Sequence, residues 1–229
     1  MNIERKVYLA FDVDGTIYDS ESIVVEAFKS GIVDTARSLG RNDIPVPERH
    51  AIMGLVGMPT GSIFKTFFPM LNAEELTLLG NSCNAAFVRL IQSGGGNLIA
   101  GAYETLSALY EGGYILLPAS NGRRAYVESI FESNKIDNFF ANAPCYVEDD
   151  IYNKGIILSI YKKRLNDNDL MIMIGDRRAD SEAARENGIP FIGCSFGYMG
   201  DSEVSREKWV VNSFYEIPAV VKELEGKFS

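Results

Sequence analysis

Histidine is almost missing from this chain: His50 is the only one in 229 residues. That excludes a metal site built on histidines. Within Pro47-Glu48-Arg49-His50 it reads as a residue on a polar helix face. Cysteine is scarce too. Cys83, Cys145 and Cys194 are odd in number, far apart and without a histidine cluster. This rules out a disulfide framework and a structural zinc site, and suits a reducing compartment. Positive charge is also in deficit, with 22 Lys and Arg against 31 Asp and Glu, a net charge of −9 and a pI near 4.8. A surface of that sign repels polyanions, so nucleic acid is not an expected partner, although a local positive pocket can still hold a small phosphate. No apolar run reaches membrane-spanning length, and the run after the charged residues 1–6 is too short for a signal peptide. No membrane association and a cytoplasmic location are expected.

What is present is a soluble, globular composition, 46% hydrophobic and 23% charged, at a length that suits one domain or a domain with an insertion. The chain is organised around Phe11-Asp12-Val13-Asp14-Gly15-Thr16, which follows the apolar run Val7-Tyr8-Leu9-Ala10-Phe11. Apolar residues at consecutive positions read as a strand buried on both faces, as in a parallel α/β sheet. Asp12 then stands at the carboxyl end of the strand, where open parallel sheets place their ligand crevice. Asp14 shares its parity, so the two carboxylates leave on one side and repel unless a cation or proton lies between them.

Downstream, the sequence turns helical. Ser20 is placed to cap a helix with Glu21 in its first turn, and Ile23, Val24, Ala27, Phe28, Ile32, Val33 and Ala36 follow at helical spacing. A break at residues 40–47 ends it, and further helices are expected over 47–53, 59–68 and 73–92. Gly94-Gly95-Gly96 marks a joint. Residues 18–94 therefore read as an all-helical insertion, with hinges near 17–20 and 93–100, in a core of residues 1–17 and 95–229. In that core a helix over 102–111 leads to a strand over 114–119, and Arg123 to Asn134 is helical. Phe139-Phe140 and Cys145-Tyr146-Val147 are short extended candidates. A helix runs from Lys154 to Leu165, a strand from Leu170 to Ile174, and a helix from Arg178 to Asn187 with Gly188 as its C-terminal cap. Strands over 190–193 and 208–211 and a closing helix over 214–225 complete the chain. Alternation of this kind gives an α/β fold: a Rossmann-like parallel sheet with helices on both faces, plus a helical cap domain inserted after the first strand.

Each chemical residue falls at a strand end or helix start. Ser120 and Asn121 follow the second strand, where the serine hydroxyl and neighbouring backbone N–H groups can hold phosphate oxygens. Lys154 supplies a compact positive charge for the same anion. Asp176 and Asp180 follow the strand over 170–174 and are spaced so that one helical turn brings them together. Four acids around one anion site are tolerable only with a hard divalent cation. Mg²⁺ suits such oxygen ligands and can bridge to a phosphate.

The Asp-x-Asp-Gly-Thr stretch and the ordered stations after it resemble the motifs of the haloacid dehalogenase-like hydrolase superfamily, over nearly the whole chain. The resemblance implies that Asp12 is the nucleophile and Asp14 the general acid and base. It also implies that Ser120 binds phosphate, that Lys154 steadies the charge, and that Asp176 and Asp180 position Mg²⁺ together with Asp12 and the main-chain carbonyl of Asp14. The helical insertion resembles the cap of the phosphoglycolate phosphatase-like branch. Phe196-Gly197-Tyr198-Met199-Gly200 is similar to a Trp-Gly-Tyr-Gly stretch found there, with Phe in place of Trp and Met before the last Gly. Lys154 is followed by Gly155 where that branch commonly has Pro. The implied activity is a Mg²⁺-dependent phosphatase acting on a small phosphorylated metabolite, with phosphoglycolate as a candidate substrate. A phosphosugar mutase using the same aspartyl-phosphate and a non-catalytic phosphate-binding module are the alternatives. A dehalogenase needs neither Asp14 nor a metal cluster. Substrate choice is expected in the cap, from Gly54 and Gly57, which allow close approach to a ligand, and from Arg49 and Lys65, which can meet a second anionic group.

Overall fold

The computed structural model describes residues 5–53, 60–140, 144–147, 151–198 and 200–228. Five strands form one parallel sheet: β1 (Val7–Phe11), β4 (Ile115–Pro118), β5 (Leu170–Gly175), β6 (Phe191–Cys194) and β7 (Val210–Val211). Their order across the sheet is β4-β1-β5-β6-β7. The consecutive apolar residues of β1 and β5 are explained by burial on both faces. Leu9 and Phe11 join Leu170, Ile172 and Ile174 in one core, whereas Ala10 joins Met171 and Met173 in another on the opposite face. Helices α5 (Ala102–Glu111), α6 (Arg124–Ser133) and α10 (Ile217–Lys227) supply the first core, and α7 (Lys154–Lys162) and α8 (Arg178–Glu186) the second. The chain leaves β1 toward β4 on one side and later places β5 on the other. The strand-end crevice of this sheet therefore opens beside β1.

Between β1 and the rest of the sheet lies the helical insertion, with α1 (Glu21–Leu39), α2 (Arg49–Met53), α3 (Thr60–Phe67) and α4 (Ala73–Gln92). Gly40, at φ 63°, ends α1 in the left-handed conformation. Asn72 starts α4 by accepting from the N–H groups of Glu74 (2.9 Å) and Glu75 (3.0 Å), while Glu75 accepts from the N–H of Asn72 (2.8 Å). Val24 and Phe28 of α1, Ile63 and Phe64 of α3, and Leu79 and Cys83 of α4 fill a separate core. The two ends of the insertion pair as a short antiparallel ribbon, β2 (Tyr18–Asp19) with β3 (Asn97–Leu98), so it leaves and rejoins the sheet domain at adjacent points. The composition gave no sign of this ribbon.

Several local expectations are corrected. Ser20 occupies the N-cap position of α1, but its side chain makes no cap bond. Residues 137–139 form a 3-10 turn, followed by a single bridge from Phe140 to Leu116. Cys145 to Val147 form no strand, because Tyr161 Oη takes the amide of Cys145 (2.8 Å) and donates to the carbonyl of Pro118 (2.8 Å). The closing helix begins as a 3-10 turn over Phe214–Glu216. Short α9 (Gly200–Glu203) was not anticipated. No helix among the described residues is long and apolar enough to cross a membrane.

Ile172 is fully buried in the centre of β5. Ile172→Ala leaves a cavity between two layers and is expected to cost about 2–5 kcal/mol, read as a lower urea midpoint at unchanged slope.

Candidate active site

Three strand ends converge. β1 runs on into Asp12, whose N–H donates to the Ile174 carbonyl of the neighbouring strand at 2.9 Å. β4 leads to Ser120 and Asn121, and β5 to Asp176. Beyond β1 the chain folds tightly: the N–H groups of Ile17 and Tyr18 both donate to the Val13 carbonyl at 2.9 Å. Gly15, at φ 82°, and Gly197 let this turn and the loop after β6 close on Asp176. A Cβ on Gly15 would stand 2.6 Å from Asp176 Oδ2, and one on Gly197 would stand 2.2 Å from Asp176 Cβ. The Phe196-Gly197-Tyr198 stretch thus packs directly on the site.

Carboxylate oxygens of Asp12, Asp176 and Asp180 lie within 4.8 Å of one another. Asp12 is 2% exposed, and Asp176 and Asp180 are fully buried. Lys154, 3% exposed, donates from Nζ to Asp12 Oδ1 (2.7 Å) and to Asp180 Oδ1. Asp180 Oδ2 accepts from the Arg177 amide at 3.0 Å, and Thr16 Oγ1 donates to Asp176 Oδ1 at 3.4 Å. Asp12 Oδ2 and Asp176 Oδ2 are buried with no protein partner. Two orphaned carboxylate oxygens inside a cluster of hard ligands fit a divalent cation.

The electrostatics follow from this crowding. Burial raises the pKa of Asp12, against the pull of Lys154. Burial, then the charges of Asp12 and Asp180, push Asp176 well above the carboxylate range. Asp180 is raised by burial to about 6, with Lys154 opposing. Burial works against the ammonium of Lys154, yet the charges of Asp12 and Asp180 outweigh it and raise its pKa. Lys154 therefore stays charged.

Asp14 sits apart from this cluster in its own network. Tyr126 Oη (2.5 Å) and Ser20 Oγ (2.9 Å) both donate to Asp14 Oδ1, which leaves Oδ2 for a transferred proton. Burial raises the Asp14 pKa, and these two bonds oppose it. Tyr198 Oη accepts from the Ser20 amide (2.6 Å) and donates to Asp19 Oδ1 (3.1 Å). The hydroxyl expected to cap α1 therefore serves the site instead.

A cavity of about 90 Å³ lies between the strand ends and the insertion. Its floor includes Asp12, Asp14, Ser120 and Asn121, and its roof is formed by helices of the insertion. Ser120 Oγ accepts from the Gly122 amide (2.9 Å), while Asn121 Oδ1 accepts from the Lys154 amide (3.0 Å). Asn121 thus positions the start of α7 as well as lining the cavity. Arg49 and Lys65 are exposed and line no part of it; Arg49 pairs with Glu21 at 2.5 Å. Among the described residues, the cation on the cavity wall is Arg123, which donates from Nη1 to Asn81 Oδ1 at 2.5 Å. Gly54 and Gly57 lie outside the described residues.

A family profile described as haloacid dehalogenase-like hydrolase matches residues 9–194, which carry every strand end described above. The chain belongs to the haloacid dehalogenase-like hydrolase family. As a member of that family it is an enzyme. It is 25% identical to a phosphoglycolate phosphatase of Photobacterium profundum, over 94% of this chain and 95% of that one. It is 26% identical to a phosphoglycolate phosphatase of Agrobacterium fabrum, over 95% of this chain and 93% of that one. Its fold is similar to a crystal structure described as a predicted phosphatase from Clostridium acetobutylicum, with a TM-score of 0.77 and 22% identity over 96% of this chain and all of the other.

In this hydrolase, Tyr126, Ser20 and Arg123 are site neighbours that motif reading does not single out, whereas Tyr198 lies in the Phe196-Gly197-Tyr198 stretch that it does. Tyr126 had a readable signal: it lies one helical turn beyond Arg123 on a helix that opens at the site. Lys154 is the one ammonium within hydrogen-bond reach of this acidic cluster among the described residues. Lys154→Met, in metal-free buffer near pH 8, leaves buried carboxylates unpaired and is expected to cost about 3–5 kcal/mol, measured by urea unfolding; an unchanged midpoint would contradict the pairing.

Proposed function

We propose that this chain is a Mg²⁺-dependent phosphomonoesterase that hydrolyses a small metabolite ester through an aspartyl-phosphate on Asp12. The observation that carries the reading is the asymmetry of Asp12, with Oδ1 held by Lys154 and Oδ2 buried without a protein partner. Such a carboxylate is held in one orientation by Lys154, with Oδ2 open to the cation, and it faces the cavity where an ester would bind. We take residues 18–94 as a cap over a core of residues 1–17 and 95–229. The enzyme would work in the cytoplasm, where the thiols of Cys83, Cys145 and Cys194 stay reduced.

In the first step Asp12 attacks phosphorus, the ester P–O bond breaks, and Asp14 gives its proton to the departing alkoxide. In the second, water attacks the same phosphorus, Asp14 takes its proton, and the bond from phosphorus to Asp12 breaks to release inorganic phosphate. Burial raises the Asp14 pKa, the direction that a carboxyl giving a proton first and accepting one later requires. Lys154 holds Asp12 and offers positive charge toward the transferring oxygens. Ser120 and the backbone of its turn bind the phosphoryl group. The carboxylates of Asp12 and Asp176 and the main-chain carbonyl of Asp14 would hold Mg²⁺, with Asp180 positioning Lys154 and the loop beside them. When bound, the ion supplies Lewis-acid charge against the phosphoryl oxygens and neutralises the cluster. Phosphoglycolate is a candidate substrate, since two relatives that align with most of this chain carry that name.

Release of inorganic phosphate from a panel of small esters, including phosphoglycolate, is expected with Mg²⁺ and abolished by EDTA. Asp12→Asn removes the attacking carboxylate and should lower kcat at least about 10³-fold; full activity in that variant would rule out Asp12 as nucleophile. A second expectation concerns pH. Asp176 and Asp180 have raised pKa values in the folded chain, so with chelator their contribution to stability is greatest in acid and is lost as pH rises, for Asp180 through about 6. Mg²⁺ binds the ionised forms, so the rise in Tm on adding it should be largest near pH 8 and shrink below about pH 6. A rise independent of pH would contradict this.

A further inference from the structure

The two halves of the cavity differ in chemistry. The floor is polar, while the roof is an aromatic and aliphatic wall made by the insertion. Val24, Phe28, Ile52 and Phe64 line it, each no more than 5% exposed, and Phe87 joins them. The Phe28 ring lies 5.7 Å from Phe64 and 6.3 Å from Phe87, and Phe87 lies 5.2 Å from Tyr126. A chain of ring-to-ring contacts therefore runs from the roof to the phenol that bonds Asp14. Among the described residues, the helices of the insertion contribute one amide side chain to the wall, Asn84, beside the thiol of Cys83. Arg123, on the core side, already directs Nη1 to Asn81. The ester oxygen must face Asp14 for its proton, so the organic part of a bound ester points toward this wall.

We infer that, against the phosphoglycolate candidate carried by the relatives' names, the alcohol released is compact and apolar, a short branched-alkyl or single-ring group packed among Phe28, Phe64 and Phe87, and not a polyol. This rests on the phosphatase reading of the same site. Apolar carbon gains by leaving water for such a wall. A hydroxyl that enters without a partner loses its water bonds, and a pocket lacking that partner disfavours it by up to about 10²-fold. The same wall offers a sugar ring few hydrogen-bond partners, which weighs against the mutase alternative.

The test compares kcat/KM, with Mg²⁺, for 3-methylbutyl phosphate and glycerol 3-phosphate, two alkyl esters whose alcohols have equal numbers of non-hydrogen atoms. The wild-type enzyme is expected to favour 3-methylbutyl phosphate by about 10²-fold. Val24→Thr puts a hydroxyl in the wall at nearly constant size and should narrow that ratio by about tenfold. A ratio near one, a preference for glycerol 3-phosphate, or faster turnover of phosphoglycolate than of 3-methylbutyl phosphate overturns the inference and leaves the phosphatase reading standing. A ratio unchanged in Val24→Thr overturns the role of the wall. Hydrolysis of none of the esters overturns both readings.

Discussion

The site depends on an imbalance of buried charge. Asp12, Asp176 and Asp180 are withdrawn from water within a few ångströms of one another, and Lys154 is the one ammonium bonded among them in the described residues. A lone lysine bonds two of these carboxylates, and burial, ahead of the neighbouring charges, raises the pKa of all three. Folding tolerates this because Asp12 and Asp176 stand at strand ends whose positions the sheet dictates, and Asp180 in the first turn of α8. The parallel order β4-β1-β5 brings residues from distant parts of the sequence to one edge. Gly15 and Gly197 remove the side chains that would otherwise keep Asp176 at a distance. A cation at the orphaned oxygens of Asp12 and Asp176 would relieve the excess, which links stability of the fold to readiness for chemistry.

Asp14 is handled differently from its neighbours. Its contacts come from hydroxyl groups, and these tie it to the insertion: Ser20 begins α1, and Tyr126 packs edge-on against Phe87 of α4. Tyr198 links Ser20 to Asp19 in the hinge ribbon. Any shift of the insertion relative to the sheet would therefore be felt at the residue assigned to move protons. The site divides into a rigid charged part set by the sheet and a hydroxyl-lined part set by the junction with the helices.

The sheet was legible because both-face burial leaves consecutive apolar residues, as in Val7–Phe11 and Leu170–Gly175, and because each run ends at a polar residue beside a turn. Asp12, Ser120, Lys154, Asp176 and Asp180 stood out for the same reason: strand ends and helix starts are punctuated in sequence. Side-chain choices between alternative partners were not legible. Ser20 has a cap position within reach yet bonds Asp14, and the segment at Cys145 satisfies its amide on Tyr161 instead of joining the sheet. Arg49 and Lys65 looked like anion ligands by charge and neighbourhood alone. In space Arg49 turns to Glu21, and Arg123 reaches the cavity from the core side. Such contacts depend on which helix face turns inward across a long sequence separation, and no local pattern encodes that.

The central claim is that a divalent cation completes the acidic cluster at the strand ends. Crystals grown with Mn²⁺ in place of Mg²⁺, measured where manganese scatters anomalously, test it most directly. The account predicts one strong anomalous peak in contact with the carboxylates of Asp12 and Asp176. A peak confined to surface acids, or no peak while Lys154 alone bridges the cluster, would contradict it.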